Sequence, residues 1–339
     1  LLNFFSPDKN LEINFEELAL GKDNKKSMGV VDGKTIHCND LRDLKNCAES
    51  YENNNMPVIL WLGNSQLHAI NQRKPDDEVS SSLLHRKMKK FGMYTLTFSA
   101  HLINKFPIET LILPLVFDDM REDTLRPNFK SILEDKETLE IIGKTFTGKS
   151  LISLISEKDV PINHSKIKKN TYQNQWENYL NRELAQIWSL WNDRDNLRGE
   201  FLGSLYLLRN SIFNIKATTT RKMIKGPYIK NQKAYEDILN LADANKIKVI
   251  VYIAPLRNDV KIPYDLNEYR DFKTKTKNIA DKYDVNFVSL ESIIPGEFWG
   301  YKGSTNLKNN IELDFMHFKG SGHRILAEKL FFEIKKILE

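Results

Sequence analysis

Short apolar runs rich in β-branched residues recur along the chain, and most are followed by stretches with helical spacing. Five runs predict strands, at residues 58–62, 95–98, 110–117, 248–253 and 285–290. Runs of this length without polar alternation are typical of parallel strands that are buried on both faces. Helical patterns cover residues 231–245, 269–283 and 325–337. Strands that alternate with helices predict an α/β fold, a doubly wound, mostly parallel sheet flanked by helices in three layers.

The organisation follows from the same pattern. Residues 1–55 are polar with scattered apolar positions, which predicts an N-terminal segment that packs on the core. Residues 56–339 form the α/β domain, with a helical insertion at about 130–230. The insertion holds Trp176, Trp188 and Trp191 among apolar residues at helical spacing. Such a stripe favours helix packing, and a lid over the substrate is the alternative.

Ser65 is the candidate nucleophile. It lies in Gly63-Asn64-Ser65-Gln66, directly after the strand 58–62 and before a stretch that can begin a helix. In an open α/β sheet this turn falls at the carboxyl edge of the strands, where such folds build their sites. The helix N-terminus would supply N–H groups and a positive dipole end to an oxyanion. The alternative is a serine that caps an ordinary helix.

Asp314 and His317 supply the partners that a serine needs. A neutral imidazole can remove the hydroxyl proton near pH 7, and a carboxylate one turn earlier can orient the ring. The pair stands on a predicted loop before the amphipathic C-terminal helix. Together the three residues favour a Ser–His–Asp triad over the capping interpretation of Ser65.

These two motifs resemble the first and last blocks of the SGNH (GDSL) hydrolase superfamily, Gly-Asp-Ser-Leu and Asp-x-x-His. Asn64 stands where the family has Asp, and the middle blocks, a glycine and Gly-x-Asn-Asp, are not found. The insertion and the late Asp-x-x-His-x-x-Gly-x-Gly look most like membrane-associated bacterial acyl-transfer members, such as the D-alanyl-transfer protein of teichoic acids and the alginate O-acetylation proteins. The resemblance implies an SGNH-hydrolase-like, flavodoxin-like fold. It also implies an extracytoplasmic domain that is tethered by an N-terminal membrane segment and works beside a membrane-bound O-acyltransferase.

Further site residues are expected at the other strand ends. For the oxyanion we expect the backbone N–H groups of Ser65 and of the Ser99–Ala100 turn, with the Asn258 amide as an additional donor. Arg257 is suited to a bidentate grip on an anionic group. A solvated loop with a local ion pair is the alternative for the polar residues after 117. The expected substrate-binding residues are Asn64, Asp118, Asp119, Arg121 and Arg257.

Composition narrows the class of protein. The 339 residues are 41% hydrophobic and 28% charged, with a net charge of +5, and no basic stripe with interleaved aromatics suggests nucleic acid. No apolar run approaches the ~20 residues of a membrane span, and the chain begins at Leu1, which suggests a processed or truncated product. Cys38 and Cys47 lie nine positions apart and leave a disulfide open. No Cys/His cluster has metal-ligand spacing, so we expect neither a metal nor a cofactor.

The sequence therefore predicts a serine-dependent O-acyltransferase or esterase. Its substrate would be the ester-linked acyl groups of a cell-surface polysaccharide or similar polymer, processed through an acyl-serine intermediate. Water as acceptor makes it an esterase, and a sugar hydroxyl makes it a transferase. The alternative is a non-catalytic SGNH-like binding or scaffold protein for an anionic cell-envelope polymer.

Overall fold

A computed structural model of the chain describes most of its C-terminal half and several separate segments before it. The described residues are 28–31, 34–37, 57–62, 66, 79–88, 90–96, 108–121, 136–157, 194–308 and 310–339. The predicted residues Cys38, Cys47, Asn64, Ser65, Ser99 and Ala100 lie outside them, as do the three tryptophans of the insertion.

A mostly parallel sheet organises these segments. Its described strands are β1 Met28–Val31, β2 Lys34–His37, β3 Val58–Leu62, β4 Gly92–Leu96, β5 Ile108–Leu115, β6 Lys248–Ile253 and β7 Asn286–Ser289. They lie in the order β2-β1-β4-β3-β5-β6-β7. The last five in that order are parallel to one another, and β1 is antiparallel to both β4 and β2. Numbered along the chain, the five parallel strands follow the order 2-1-3-4-5 of a doubly wound sheet.

Helices cover both faces of the sheet. They are α1 Ser80–Lys87, α2 Lys136–Ile142, α3 Phe146–Glu157, α4 Arg194–Ile212, α5 Lys225–Ala244, α6 Leu266–Lys282 and α7 Gly320–Leu338. Along β6, Val249 and Val251 join a core with α5 and α6, whereas Ile250 and Tyr252 join a second core with α1 and α7. Because successive side chains of a strand point to opposite faces, apolar residues at every position fill both cores. The predicted α/β fold, a mostly parallel sheet flanked by helices, is confirmed, and it is compatible with the predicted three layers.

The N-terminal segment contributes to the sheet itself. β1 and β2 form an antiparallel pair, and β1 hydrogen-bonds to β4 at Gly29–Tyr94 and Val30–Met93. A polar segment that packs on the core was predicted, and its described residues extend the edge of the sheet.

A separate hairpin precedes the last helix. It consists of β8 Trp299–Lys302 and β9 Glu312–Phe318, which pair antiparallel with Trp299 opposite Phe318. The sequence placed Asp314 and His317 on a loop, and the structure places both on β9. α7 begins directly after this strand, because Gly322 leaves room for the Phe318 ring; a Cβ at Gly322 would come within 2.8 Å of it.

Candidate functional site

Asp314 and His317 are in direct contact. The Nδ1 atom of His317 lies 2.9 Å from Oδ2 of Asp314. The other carboxylate oxygen, Oδ1, accepts hydrogen bonds from the backbone N–H groups of Met316 at 2.8 Å and His317 at 3.0 Å. Three N–H donors therefore fix the carboxylate, and the local turn that they form brings the ring onto it. The predicted base and orienter meet as the sequence suggested.

The environment of the pair sets its protonation. Asp314 is 2% exposed, and burial on its own would raise the pKa of its carboxyl. The hydrogen bond and charge of His317 and the two backbone N–H groups outweigh burial, so the pKa of Asp314 is lowered. An ionised carboxylate can only accept hydrogen bonds, so Nδ1 carries a proton. In the neutral ring Nε2 then holds the free lone pair, and the His317 side chain is 18% exposed. This tautomer is the one that a general base requires.

Aromatic packing holds the strand that carries this pair. Phe318, the residue after His317, is fully buried against Trp299 with ring centres 5.4 Å apart. Its ring also lies 4.6 Å from that of His323 on α7. The backbone N–H of Lys319 donates to the carbonyl of Phe298 at 2.7 Å. These contacts fix the backbone on the C-terminal side of His317.

Two hydrogen bonds link the segment after β3 to the segment after β6, and that segment in turn to the hairpin. Gln66, the residue after Ser65 in the sequence, is 2% exposed, and its Nε2 donates to the carbonyl of Pro255 at 2.9 Å. Pro255 follows β6, and two residues later Nη1 of Arg257 donates to the carbonyl of Gly300 in β8 at 2.8 Å. The position that follows Ser65 is therefore linked through the end of β6 to the hairpin of His317. Ser65, Asn64 and Ala100 themselves lie outside the described residues.

Arg257 already has a bidentate partner. Its Nε and Nη2 donate to the two carboxylate oxygens of Asp259 at 2.9 and 3.1 Å, and the side chain is 5% exposed. The sequence analysis assigned a bidentate contact of Arg257 to a substrate anion, but in the structure Asp259, two residues away, makes this contact. The hydrogen bond from Arg257 lowers the pKa of the Asp259 carboxyl. Asn258, between them, is exposed and makes no hydrogen bond to any described residue. Its amide remains the available donor of this segment.

Asp118 joins the end of β5 to the segment before α5. Its carboxylate pairs with Arg221, with Nη1 of Arg121 at 3.3 Å, and with the hydroxyl of Tyr264 at 3.0 Å. Arg121 also donates from Nε to the carbonyl of Lys222 at 2.7 Å. Burial, and then the charge of Asp118, raise the pKa of Tyr264 well above its usual value, so its hydroxyl remains a donor. Asp118 and Arg121 therefore hold the fold together here, and exposed Asp119 keeps its carboxylate at the surface.

The sequence analysis missed a contact between Ser80 and His323. The hydroxyl of Ser80 lies 2.6 Å from Nδ1 of His323, which also accepts the Ser80 backbone N–H at 3.1 Å. Both residues have no exposed surface, so no substrate can reach this pair. It fastens the start of α1 to α7. No local sequence pattern reveals the contact, because the two residues are 243 positions apart.

The described residues also bear on metal binding and on membrane spanning. There, no three His, Cys, Asp or Glu side chains come together in a way that could hold a metal ion. None of the helices formed by those residues is both long enough and apolar enough to span a bilayer.

Comparisons with known proteins add no family to this geometry. No protein-family model matches the chain, and no match was found among curated proteins or solved structures.

Proposed function

We propose that the protein is a serine esterase or O-acyltransferase of SGNH type, in which Ser65 is the nucleophile, His317 the base and Asp314 the orienter. The observation that carries the proposal is the Asp314–His317 pair, with its carboxylate held by three N–H donors and Nε2 directed away from it. The strand order 2-1-3-4-5 of the parallel strands is compatible with an SGNH-like fold.

The link between Gln66 and Pro255 supports Ser65 as the third member. It ties the residue after Ser65 to the same carboxyl edge that Arg257 joins to the hairpin of His317. In a doubly wound sheet the crevice lies at the carboxyl ends of the strands where the order reverses. Here that reversal lies between β3 and its neighbours β4 and β5, and Ser65 follows β3 by three residues.

The reaction proceeds in two steps. Nε2 of His317 takes the hydroxyl proton of Ser65 as its oxygen bonds to the ester carbonyl carbon, and Asp314 stabilises the imidazolium. The imidazolium returns the proton to the leaving alcohol, which leaves an acyl-serine. Water or a sugar hydroxyl then attacks this acyl group while His317 takes its proton, the bond to the Ser65 oxygen breaks, and the imidazolium returns the proton to that oxygen. The acceptor therefore decides between hydrolysis and transfer. Asn258 and backbone N–H groups near Ser65 stabilise the oxyanion.

The substrate class follows from the resemblance and not from the geometry. It comprises the ester-linked acyl groups of a cell-surface polysaccharide or similar polymer, and a membrane-bound O-acyltransferase is the implied partner. The protein would act outside the cytoplasm, next to the membrane.

Acylation by an activated ester tests the proposal. Wild-type protein mixed with p-nitrophenyl acetate should gain an acetyl group on Ser65, visible by mass spectrometry, or should turn the ester over. Ser65→Ala and His317→Ala should each lose this reaction. Ser80→Ala is the matched control, since Ser80 contacts the buried His323, and it should keep the acylation.

Equal reaction in wild type and Ser65→Ala would refute the assignment. Equal loss in Ser65→Ala and in a folded Ser80→Ala would also contradict it, because the reaction would then not single out Ser65. No reaction in any variant, with binding of an anionic polymer, would favour the scaffold alternative.

A further inference from the structure

Four large apolar side chains are exposed on two segments that are hydrogen-bonded to each other, the end of α4 and the loop between β8 and β9. Ile212 is 69% exposed and Phe213 is 70% exposed, at the end of α4. Leu307 at 51% and Ile311 at 78% lie in the loop between β8 and β9. We call these four residues the apolar tip. Exposed apolar clusters on a folded protein usually mark a surface that another body covers.

Buried polar contacts hold the two segments of the apolar tip together. Asn210 is fully buried, and its Nδ2 donates to the carbonyl of Thr305 at 2.7 Å. The backbone N–H of Leu307 donates to Oγ of Ser211 at 2.9 Å. Asn306 is 4% exposed and donates to the carbonyl of Ile215 at 3.2 Å. The two segments of the apolar tip are therefore held in place, since the side chains that support them are buried and hydrogen-bonded while the apolar ones are exposed.

Basic residues surround the apolar tip. Arg209, Lys216, Lys302 and Lys308 are exposed, and within the described part of the chain none of them forms an ion pair. The acidic residue between them, Glu312, uses its carboxylate to accept from the backbone N–H of Ala217 at 2.8 Å and from the Thr305 hydroxyl. Four basic side chains against this one carboxylate leave these segments with an excess of positive charge.

We propose that the apolar tip binds the surface of a membrane that contains anionic lipids. Its members stand at a helix end and in a hairpin loop, and each is more than half exposed. Apolar side chains flanked by lysine and arginine are what interfacial binding requires, because the former enter the headgroup region and the latter attract anionic lipid. This inference does not depend on the proposed esterase activity.

The tip also sets a distance to the candidate site. Ile311 and His317 are six residues apart on and beside β9, which is about 20 Å in an extended strand. A protein seated by its tip would hold His317 up to about 20 Å above the lipid surface. That height suits an acyl group on a polymer or headgroup attached to the membrane better than an acyl chain within the bilayer.

Vesicle flotation tests the proposal. The full chain is mixed with phosphatidylcholine vesicles, or with vesicles in which about 30% of the lipid is phosphatidylglycerol. Flotation is expected with the anionic vesicles and should weaken as salt increases. Phe213→Asp and Ile311→Asp should each lower the partition constant about tenfold or more, and Lys308→Glu should lower it about fivefold or more.

Two matched variants serve as controls, because they carry the same kinds of substitution at residues outside the apolar tip. Phe332 is 59% exposed on α7, away from the tip, and Phe332→Asp should float like wild type. Lys248→Glu changes a charge at the amino end of β6, the end opposite to the one that is linked to the hairpin. This variant should also float like wild type. Thermal unfolding of every variant establishes that each is folded.

Three outcomes would overturn the proposal. They are a wild type that stays with the unbound fraction, a Phe213→Asp variant that floats as well as wild type, and equal losses in the Phe332→Asp control. Sedimentation of the free protein adds a fourth. A dimer that Phe213→Asp dissociates would assign the tip to a second copy of the chain.

Discussion

Asp314→Asn is the substitution that most directly tests the role of the Asp314–His317 pair. Oδ1 of Asp314 accepts two backbone N–H groups, while Oδ2 faces Nδ1 of His317. An asparagine will keep its carbonyl oxygen toward the two backbone donors, because its NH2 group cannot accept them. The NH2 group then faces Nδ1. The ring must move its proton to Nε2 to accept that donor, so Nε2 can no longer act as a base.

The two consequences differ in size. The fold loses one charge-assisted hydrogen bond and the charge itself, which we expect to lower the free energy of unfolding by about 1–3 kcal/mol. Catalysis loses the correct tautomer, and in triads this costs about 10³- to 10⁴-fold in rate. At 1.36 kcal/mol per tenfold, that is about 4–5 kcal/mol of transition-state stabilisation. A functional orienter therefore loses more activity than stability.

Three measurements check this reasoning. Turnover of p-nitrophenyl acetate gives the rate, urea unfolding gives the stability, and the ¹⁵N shifts of the His317 ring give the tautomer without any reaction. Glu333→Gln is the control, because Glu333 on α7 also has a lowered pKa but pairs with Lys336 and Lys329. An Asp314→Asn variant with wild-type turnover, or with the proton still on Nδ1, would refute the assignment of Asp314.

Three further results are expected. The lowered folded-state pKa of Asp314 means that its stabilisation is complete above about pH 5 and is lost as the pH falls through that pKa, so urea unfolding of wild type and Asp314→Asn should converge in acid. Gly322→Ala should cost about 1–3 kcal/mol, because its Cβ would meet the Phe318 ring at 2.8 Å, whereas Gly303→Ala, with open space around it, should change the midpoint little; equal costs would contradict this. Asp118→Ala should lower stability by about 2–3 kcal/mol through its lost partners, and a raised KM at unchanged stability would instead make Asp118 a substrate contact.

Local patterns in the sequence were sufficient for two strands of the sheet. β6 was predicted with the bounds that the structure gives it, and the predicted strand 285–290 contains β7. β6 is buried on both faces after its first residue, so its apolar character is continuous and independent of distant contacts, whereas β7 at the edge of the sheet is only partly buried. β1 and β2 were not predicted, because each has only four residues, which is too few for a clear hydrophobic pattern.

The second strand of the hairpin, β9, was wrongly predicted to be a loop, although its sequence has the pattern of a strand. Glu312, Leu313, Asp314 and Phe315 alternate between polar and apolar, which is the pattern of a strand. The glycines that follow directed the prediction toward a loop. The alternation stops at Met316, where the pairing of β8 with β9 is irregular and the Asp314 side chain accepts the Met316 backbone N–H; this turn places His317 beside the carboxylate. The irregular step in the strand is thus part of the candidate site.

Contacts between residues that are close in the sequence could partly be predicted from it, whereas contacts between distant residues could not. Asp259 follows Arg257 by two residues, so the spacing alone indicates an ion pair between its carboxylate and the guanidinium. Arg221 and Tyr264, which share Asp118, come from two segments more than 100 residues later in the chain. No spacing rule connects such residues, because the sheet and its helices bring them together only after folding.

The candidate site has the same dependence on distant contacts. Its base and orienter are three residues apart and fix each other locally, so they form wherever β9 forms. The nucleophile segment lies about 250 residues earlier, and the described contacts that relate it to the hairpin run through the end of β6. Gln66 binds Pro255 on one side, and Arg257 binds Gly300 on the other. Because Asp259 holds the Arg257 guanidinium in place, that ion pair acts on the site without touching a substrate: it sets where the His317 hairpin stands relative to the end of β3.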